Sequence, residues 1–207
     1  MKTQLTTLFA LAAFAGSVSA APQTFDFKDP KGVNHVDFKL DAHLEAISGS
    51  ASGVSGTVTF DPAQPAATQG KIVVASDSLN VPNSIMKGQL HGATWLDVKK
   101  FPEISFTVKE LKNVKTEGDD TTAEASGTFV CKGVSKEMTI PIKLTYLKGK
   151  LAQRLQGFPG SHEGDLLVVR TSFTIKRDDF NINPGQYEDK VANEIQLTLA
   201  LAGAAPK

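Results

Sequence analysis

Disulfide chemistry is excluded within this chain: Cys131 is its only cysteine, so no internal bridge can form and the fold must stand on its core. Net charge is also missing. The 22 basic and 22 acidic residues cancel, and no block of Lys or Arg occurs, so the clustered positive charge that a nucleic-acid partner requires is not there. Apolar runs are short, and none approaches the roughly 20 residues with which a helix crosses a bilayer. Histidines are few: His35, His43, His91 and His162 show no zinc-ligand spacing, and "SHEGD" lacks the second histidine of an H-E-x-x-H site. No metal centre is expected. A phosphate-cradling glycine loop and a dinucleotide fingerprint are both missing, so no cofactor is expected either. "GSASGVSG", Gly49 to Gly56, centres Ala51 where a nucleophile elbow needs serine, and reads as a flexible hairpin loop. Cys131 has no histidine near it in sequence and reads as a buried structural thiol. With no acid, base and nucleophile set in view, catalysis is not expected.

What is present begins with a leader. "MKTQLTTLFALAAFAGSVSA" has a positive start at Lys2, an apolar run from Leu8 to Ala15 and a small-residue cleavage site at Val18-Ser19-Ala20. Residues 1–20 are therefore predicted to be a secretory signal peptide, and residues 21–207 one domain, long enough for a sizeable core or a modest cavity.

Along the mature chain, apolar and polar residues alternate repeatedly with period two. In "HVDFKLDAHL" the residues Val36, Phe38, Leu40, Ala42 and Leu44 share one face. The same alternation marks "GTVTF", "KIVVASDSL", "EISFTVKEL", "TAEASGTFVC", "KEMTIPIKLTY", "DLLVVRTSFTIKR" and "EIQLTLALAG", about eight strands in all, separated by Gly, Pro, Asn and Asp clusters. An all-β fold follows. The apolar faces can be hidden in a two-sheet sandwich or in one sheet closed as a barrel, and pattern alone does not choose. An eight-stranded barrel has an interior that side chains can fill or that can hold one small ligand.

Three segments carry a family likeness: Trp95-Leu96-Asp97 running through Lys100-Phe101-Pro102 to Phe106, the turn from Gly127 to Lys136 with Gly133-Val134-Ser135-Lys136, and Arg177-Asp178-Asp179-Phe180. In order and spacing they resemble the YceI-like family of exported bacterial proteins, over nearly all of the mature chain. The resemblance implies an eight-stranded antiparallel lipocalin-like barrel, a periplasmic location, and a cavity that takes a long isoprenoid or similar lipid. It leaves open whether two copies pair as a homodimer. One departure stands out: where the family often has an Arg-Asp-x-His-Leu run, this chain has Met86-Lys87-Gly88-Gln89-Leu90, keeping the leucine and changing the charges.

That run lies in "SIMKGQLHGATWLDVKKFPEISF", Ser84 to Phe106, the one stretch with helical spacing. Ile85, Met86 and Leu90, joined by Ala93, recur at spacings near three and four, Gly88 and Gly92 weaken the helix, and Pro102 ends any helix before the next strand. A short helix covering one barrel mouth is expected. The expected ligand-binding residues are Ile85, Met86, Leu90, Trp95 and Phe101 at the mouth, with Phe38, Ile104, Phe106, Phe129, Phe173 and Ile175 inward by parity along the strands. Asn83, Lys87, Gln89 and His91 are the polar candidates beside the mouth. Non-catalytic binding, transport or storage of a long apolar molecule is the expected function. A packed periplasmic interaction module and an enzyme of unrecognised type using the cavity are the alternatives.

Overall fold

A computed structural model describes residues 21–160 and 162–207. The predicted signal peptide lies outside the described residues. The strands are β1 (Gln23–Asp26), β2 (His35–Asp41), β3 (Ala46–Ala51), β4 (Val54–Phe60), β5 (Gln69–Ala75), β6 (Leu79–Asn80), β7 (Glu103–Glu117), β8 (Asp120–Cys131), β9 (Val134–Leu147), β10 (Gly164–Lys176) and β11 (Glu194–Pro206). Two α-helices join them, α1 (Ser84–His91) between β6 and β7, and α2 (Leu151–Arg154) between β9 and β10.

These segments form a closed antiparallel barrel of eight strands. β1 and β2 are two pieces of one strand, because both pair with β11, at Asp26↔Ala204 and across Lys39↔Gln196 to His35↔Ala200. β3 and β4 are likewise the two halves of the next strand, paired with β2 and β1, and β6 and β5 continue the order against them. From β5 onward each strand pairs with its successor through β7, β8, β9, β10 and β11. Pairing of β11 with the first strand closes the ring.

Alternation produces the wall directly: β2 buries Val36, Phe38 and Leu40 and exposes His35, Asp37, Lys39 and Asp41. The pattern stops there. Leu44, which continues the alternation in sequence, lies in the turn after β2 and is 61% exposed. "GSASGVSG" is not the flexible loop its composition suggests. It is strand through Ala51, breaks only at Ser52-Gly53, and resumes at Val54. Gly49 is required where the Phe38 ring lies over β3, since a Cβ there would sit 2.2 Å from that ring.

One seam in the wall is interrupted. The β9–β10 ladder ends at Lys143↔Arg170 on the α1 side, beside Pro141, which has no N–H to give; the Thr171 hydroxyl instead donates to the Pro141 carbonyl at 2.6 Å. Beyond that point a 3₁₀ turn, Asp178–Phe180, covers the seam: Phe180 is buried against Phe129 at 5.3 Å between ring centroids, and Lys136 pairs with Asp179 at 2.7 Å.

The barrel's two ends differ. At the end opposite α1, Phe25, Phe27, Phe60 and Leu167 are buried and the Phe25 and Phe60 rings meet Tyr146 at 6.2 and 6.0 Å. The Tyr146 hydroxyl donates to Asp165 at 2.8 Å, and the Gly149 N–H donates to the same buried carboxylate at 2.7 Å. After β9, Leu151 and Leu155 of the α2 segment pack against Leu166, whose side chain alternates with the inward Leu167 and so lies on the outer face of the wall beside this end. This end is a floor.

Candidate functional site

Above the floor the side chains no longer fill the interior. Ile72, Val74, Phe106, Val108, Ile142, Val169, Phe173, Leu197 and Leu199 all point inward yet keep part of their surface accessible, which close packing would remove. They surround an apolar cavity of about 230 Å³ that runs from Val58, Leu144 and Leu201 near the floor to Trp95, Ile182 and Val191 under α1. Along β11 alone the lining residues Ile195 to Leu201 span about 20 Å at the usual strand rise.

Nine of the eleven residues expected from the sequence border this cavity: Phe38, Met86, Leu90, Trp95, Ile104, Phe106, Phe129, Phe173 and Ile175. Two do not. Ile85 is 73% exposed, because α1 turns Met86 and Leu90 inward at a spacing of four and carries Ile85 to the outer side. Phe101 packs under the β8–β9 turn, where a Cβ on Gly133 would come within 2.5 Å of its ring. That turn, Lys132-Gly133, has positive φ at both residues (47° and 76°), the hairpin form that glycine accommodates. Phe101 is therefore part of the frame around the mouth and not of the lining.

Among the polar candidates only Gln89 reaches the lining. The Asn83 side chain is committed to capping α1, accepting from the Ile85 and Met86 N–H groups at 2.9 and 3.1 Å. The His91 Nε2 lies 2.7 Å from the Leu79 carbonyl and ties the helix end to β6.

Sequence reasoning missed the lining residues contributed by irregular segments: Val81, Arg177, Ile182 and Val191. Among the described residues Arg177 is the only charged one on the lining, and it is wholly buried. Its guanidinium donates to the carbonyls of Ala192, Ile182, Asn183, Gln186 and Val191 at 2.8–3.1 Å, so all five N–H groups are used. Its face lies 5.5 Å from the Trp95 ring. Burial pushes its pKa below the ordinary value, partly offset by Asp178 and Glu188. The cation acts as a knot that folds residues 182–192 back over the barrel end. Asp178 reinforces the knot by accepting from the Gly185 N–H at 3.1 Å and the Asn193 amide at 2.9 Å.

The three sequence segments that carry the likeness meet here. Trp95 stacks on Arg177, Phe101 sits under Gly133, and the Lys132 ammonium donates to the carbonyls of Thr94 and Asn181 at 2.9 and 2.7 Å. Their shared task in this chain is to hold the mouth. Cys131 also faces the cavity, where burial pushes its thiol up to about 12 and no histidine adjoins it in sequence, so it offers a neutral S–H and no thiolate.

A small closed barrel with a packed floor, an apolar hollow and a helix beside its mouth has the architecture of the lipocalin-like barrels. The YceI-like domain model matches residues 17–202, and the chain belongs to that family. A UPF0312 protein of Yersinia pestis is 30% identical over 97% of this chain and 95% of its own length, and protein YceI of Salmonella newport is 28% identical over 97% and 96%. Among solved structures, BcnA of Burkholderia cenocepacia superposes with a TM-score of 0.64 at 21% identity, covering 82% of this chain and 95% of that one. A polyisoprenoid binding domain from Saccharophagus degradans superposes with a TM-score of 0.63 at 12% identity, covering 90% and 100%. At these identities the structures establish the shared fold.

Proposed function

We propose that this protein binds a long, slender apolar ligand, an isoprenoid, isoprenoid quinone or related lipid, and transports or stores it in the periplasm without chemical conversion. The observation that carries this reading is the cavity itself: a predominantly apolar lining on which the one charged side chain among the described residues, Arg177, has every donor already bonded. Phe38, Met86, Leu90, Trp95, Ile104, Phe106, Phe129, Phe173 and Ile175 would touch the ligand. The polyisoprenoid-binding relative supports the ligand class, and the leader-like residues 1–20 support export. No helix among the described residues is long and apolar enough to cross a membrane.

Magnitudes favour a tail-driven ligand. Each buried methylene contributes roughly 0.8 kcal/mol, so a chain of a few isoprene units offsets an association cost of roughly 4–15 kcal/mol without a charged contact. A volume of about 230 Å³ lies below the roughly 300–1,000 Å³ of sites that enclose drug-sized molecules, which favours a narrow chain over a bulky ring system. Gentle purification followed by organic extraction and mass spectrometry tests the reading. A co-extracted prenyl or acyl lipid is expected, as is a shift in Trp95 fluorescence when polyprenols or isoprenoid quinones are added. No extracted lipid together with no fluorescence response would overturn it.

A further inference from the structure

Five large apolar side chains are exposed among the described residues: Val33, Leu44, Ile85, Phe158 and Tyr187. Three of them, from three separate segments, stand at the mouth. Leu44 is in the turn between β2 and β3, Ile85 on the outer side of α1, and Tyr187 in the strap folded back by Arg177. The segments are joined: the Leu44 N–H donates to the Asp189 carbonyl at 2.8 Å, and the Val191 N–H donates to the Tyr187 carbonyl at 2.7 Å. Val191 and Met86, the neighbour of Ile85, pack into a single apolar cluster with Phe38 and Val81 beneath them. Tyr187 is 62% exposed and held at φ 58°, a conformation a bulky side chain rarely adopts. Its outward position is imposed by the strap.

We propose that this rim is a docking surface for a phospholipid bilayer, with Leu44, Ile85 and Tyr187 entering the interface while the mouth faces the membrane. The inference rests on the lipid-binding reading above, because an apolar ligand leaves a bilayer with least cost when it never crosses water, and the rim is continuous with the cavity it would enter. Tyrosine beside aliphatic side chains is the composition suited to a membrane-water boundary. Charge selects the kind of bilayer. Around the patch Lys87 and Lys190 stand against Glu45, Glu188 and Asp189, so anionic lipid gains no attraction and a zwitterionic surface is the matching occupant. The opposite end, where Lys31 lies over Phe158 at 5.7 Å, supplies the control surface.

The test is flotation of the full mature chain with phosphatidylcholine vesicles, alongside Trp95 titration with a polyprenol in the absence of vesicles. Flotation is expected to change little between low and high salt, and to weaken about tenfold in each of Leu44→Glu, Ile85→Glu and Tyr187→Glu, a loss of about 1.4 kcal/mol. Val33→Glu and Phe158→Glu should float as the parent does. Parent-like flotation of the rim variants, loss confined to the Val33 and Phe158 variants, or no flotation of the parent would each overturn the proposal. The titration separates the two readings: a chain that floats through its rim yet binds no polyprenol sinks the ligand assignment alone, whereas one that binds polyprenol and ignores vesicles sinks the docking surface alone.

Discussion

Filling the cavity should raise stability and abolish binding together, and Val169→Phe is the substitution that shows it. Val169 faces inward at the waist, opposite Leu144 on β9 and Leu201 on β11, and borders the hollow while keeping accessible surface. The change adds four carbons. In a close-packed core such an insertion costs about 1–3 kcal/mol through off-rotamer side chains and backbone shifts. Here the ring projects into unoccupied space, and at roughly 0.8 kcal/mol per buried methylene equivalent the upper bound of the gain is about 3 kcal/mol. A net stabilisation of about 1 kcal/mol is the expectation once the lost rotamer freedom is subtracted. Leu167→Phe supplies the contrast, since Leu167 lies in the packed floor at 0% exposure and should lose about 1–3 kcal/mol. Urea unfolding of delipidated protein measures both, with the m-value checked for constancy, and polyprenol titration of Trp95 fluorescence measures the site. If Val169→Phe lowers the urea midpoint as Leu167→Phe does, the interior is packed and the reasoning fails.

Arg177→Met removes five donors and leaves their carbonyls to find other partners, so it should cost about 3–5 kcal/mol in urea unfolding. Where it still folds, amide exchange should accelerate selectively in residues 182–192; uniform exchange would show that the guanidinium does not hold the strap. Cys131, with its thiol pushed up to about 12 by burial, should resist iodoacetamide at pH 8 in native protein and react fully in urea, as read by intact mass. Burial acts to raise the Asp165 pKa, but hydrogen bonds from Gly149, Gln23 and Tyr146, with Lys207 nearby, hold it below the ordinary carboxylate value. A depressed folded-state value stabilises the protein above the ordinary range near about pH 4 and loses that contribution as pH falls through it. The stability curves of the parent and Asp165→Asn should therefore diverge at neutral pH and converge in acid.

The wall of the barrel was legible because a strand writes its burial into every second residue, and β2, β8 and β11 do so over their whole lengths. Strand ends were less so. Nothing in the alternation marks where it stops: Leu44 continues the pattern of β2 after the hydrogen bonds to β11 and β3 have ended. A helix of eight residues is too short for spacing to fix its phase, so Ile85 and Met86, adjacent in sequence and about 100° apart around the axis, could not be ranked by periodicity. Arg177 was legible only as part of a motif. Its five acceptors are backbone carbonyls, which every sequence has, and their convergence depends on a strap whose path follows from the arginine itself.

The distribution of packing along the barrel axis bears on why a hollow persists at all. At about 24 cal/mol for each Å³, an unfilled volume of about 230 Å³ costs about 5–6 kcal/mol, comparable to the whole net stability of an ordinary domain at roughly 5–15 kcal/mol. The fold carries that cost because its cohesion is concentrated elsewhere. The floor packs Phe25, Phe27, Phe60 and Leu167 with the Tyr146–Asp165 pair, and the mouth is stitched by Arg177 and Lys132 through carbonyls that no ligand needs. The waist between them is spanned by continuous ladders, β8–β9 and β10–β11 above all, which hold the wall apart with no help from the interior. Any ligand that fills the waist recovers dispersion contacts the side chains forgo, so its binding energy comes from a deficit already built into the folded barrel, and no rearrangement of the floor is needed to gain it.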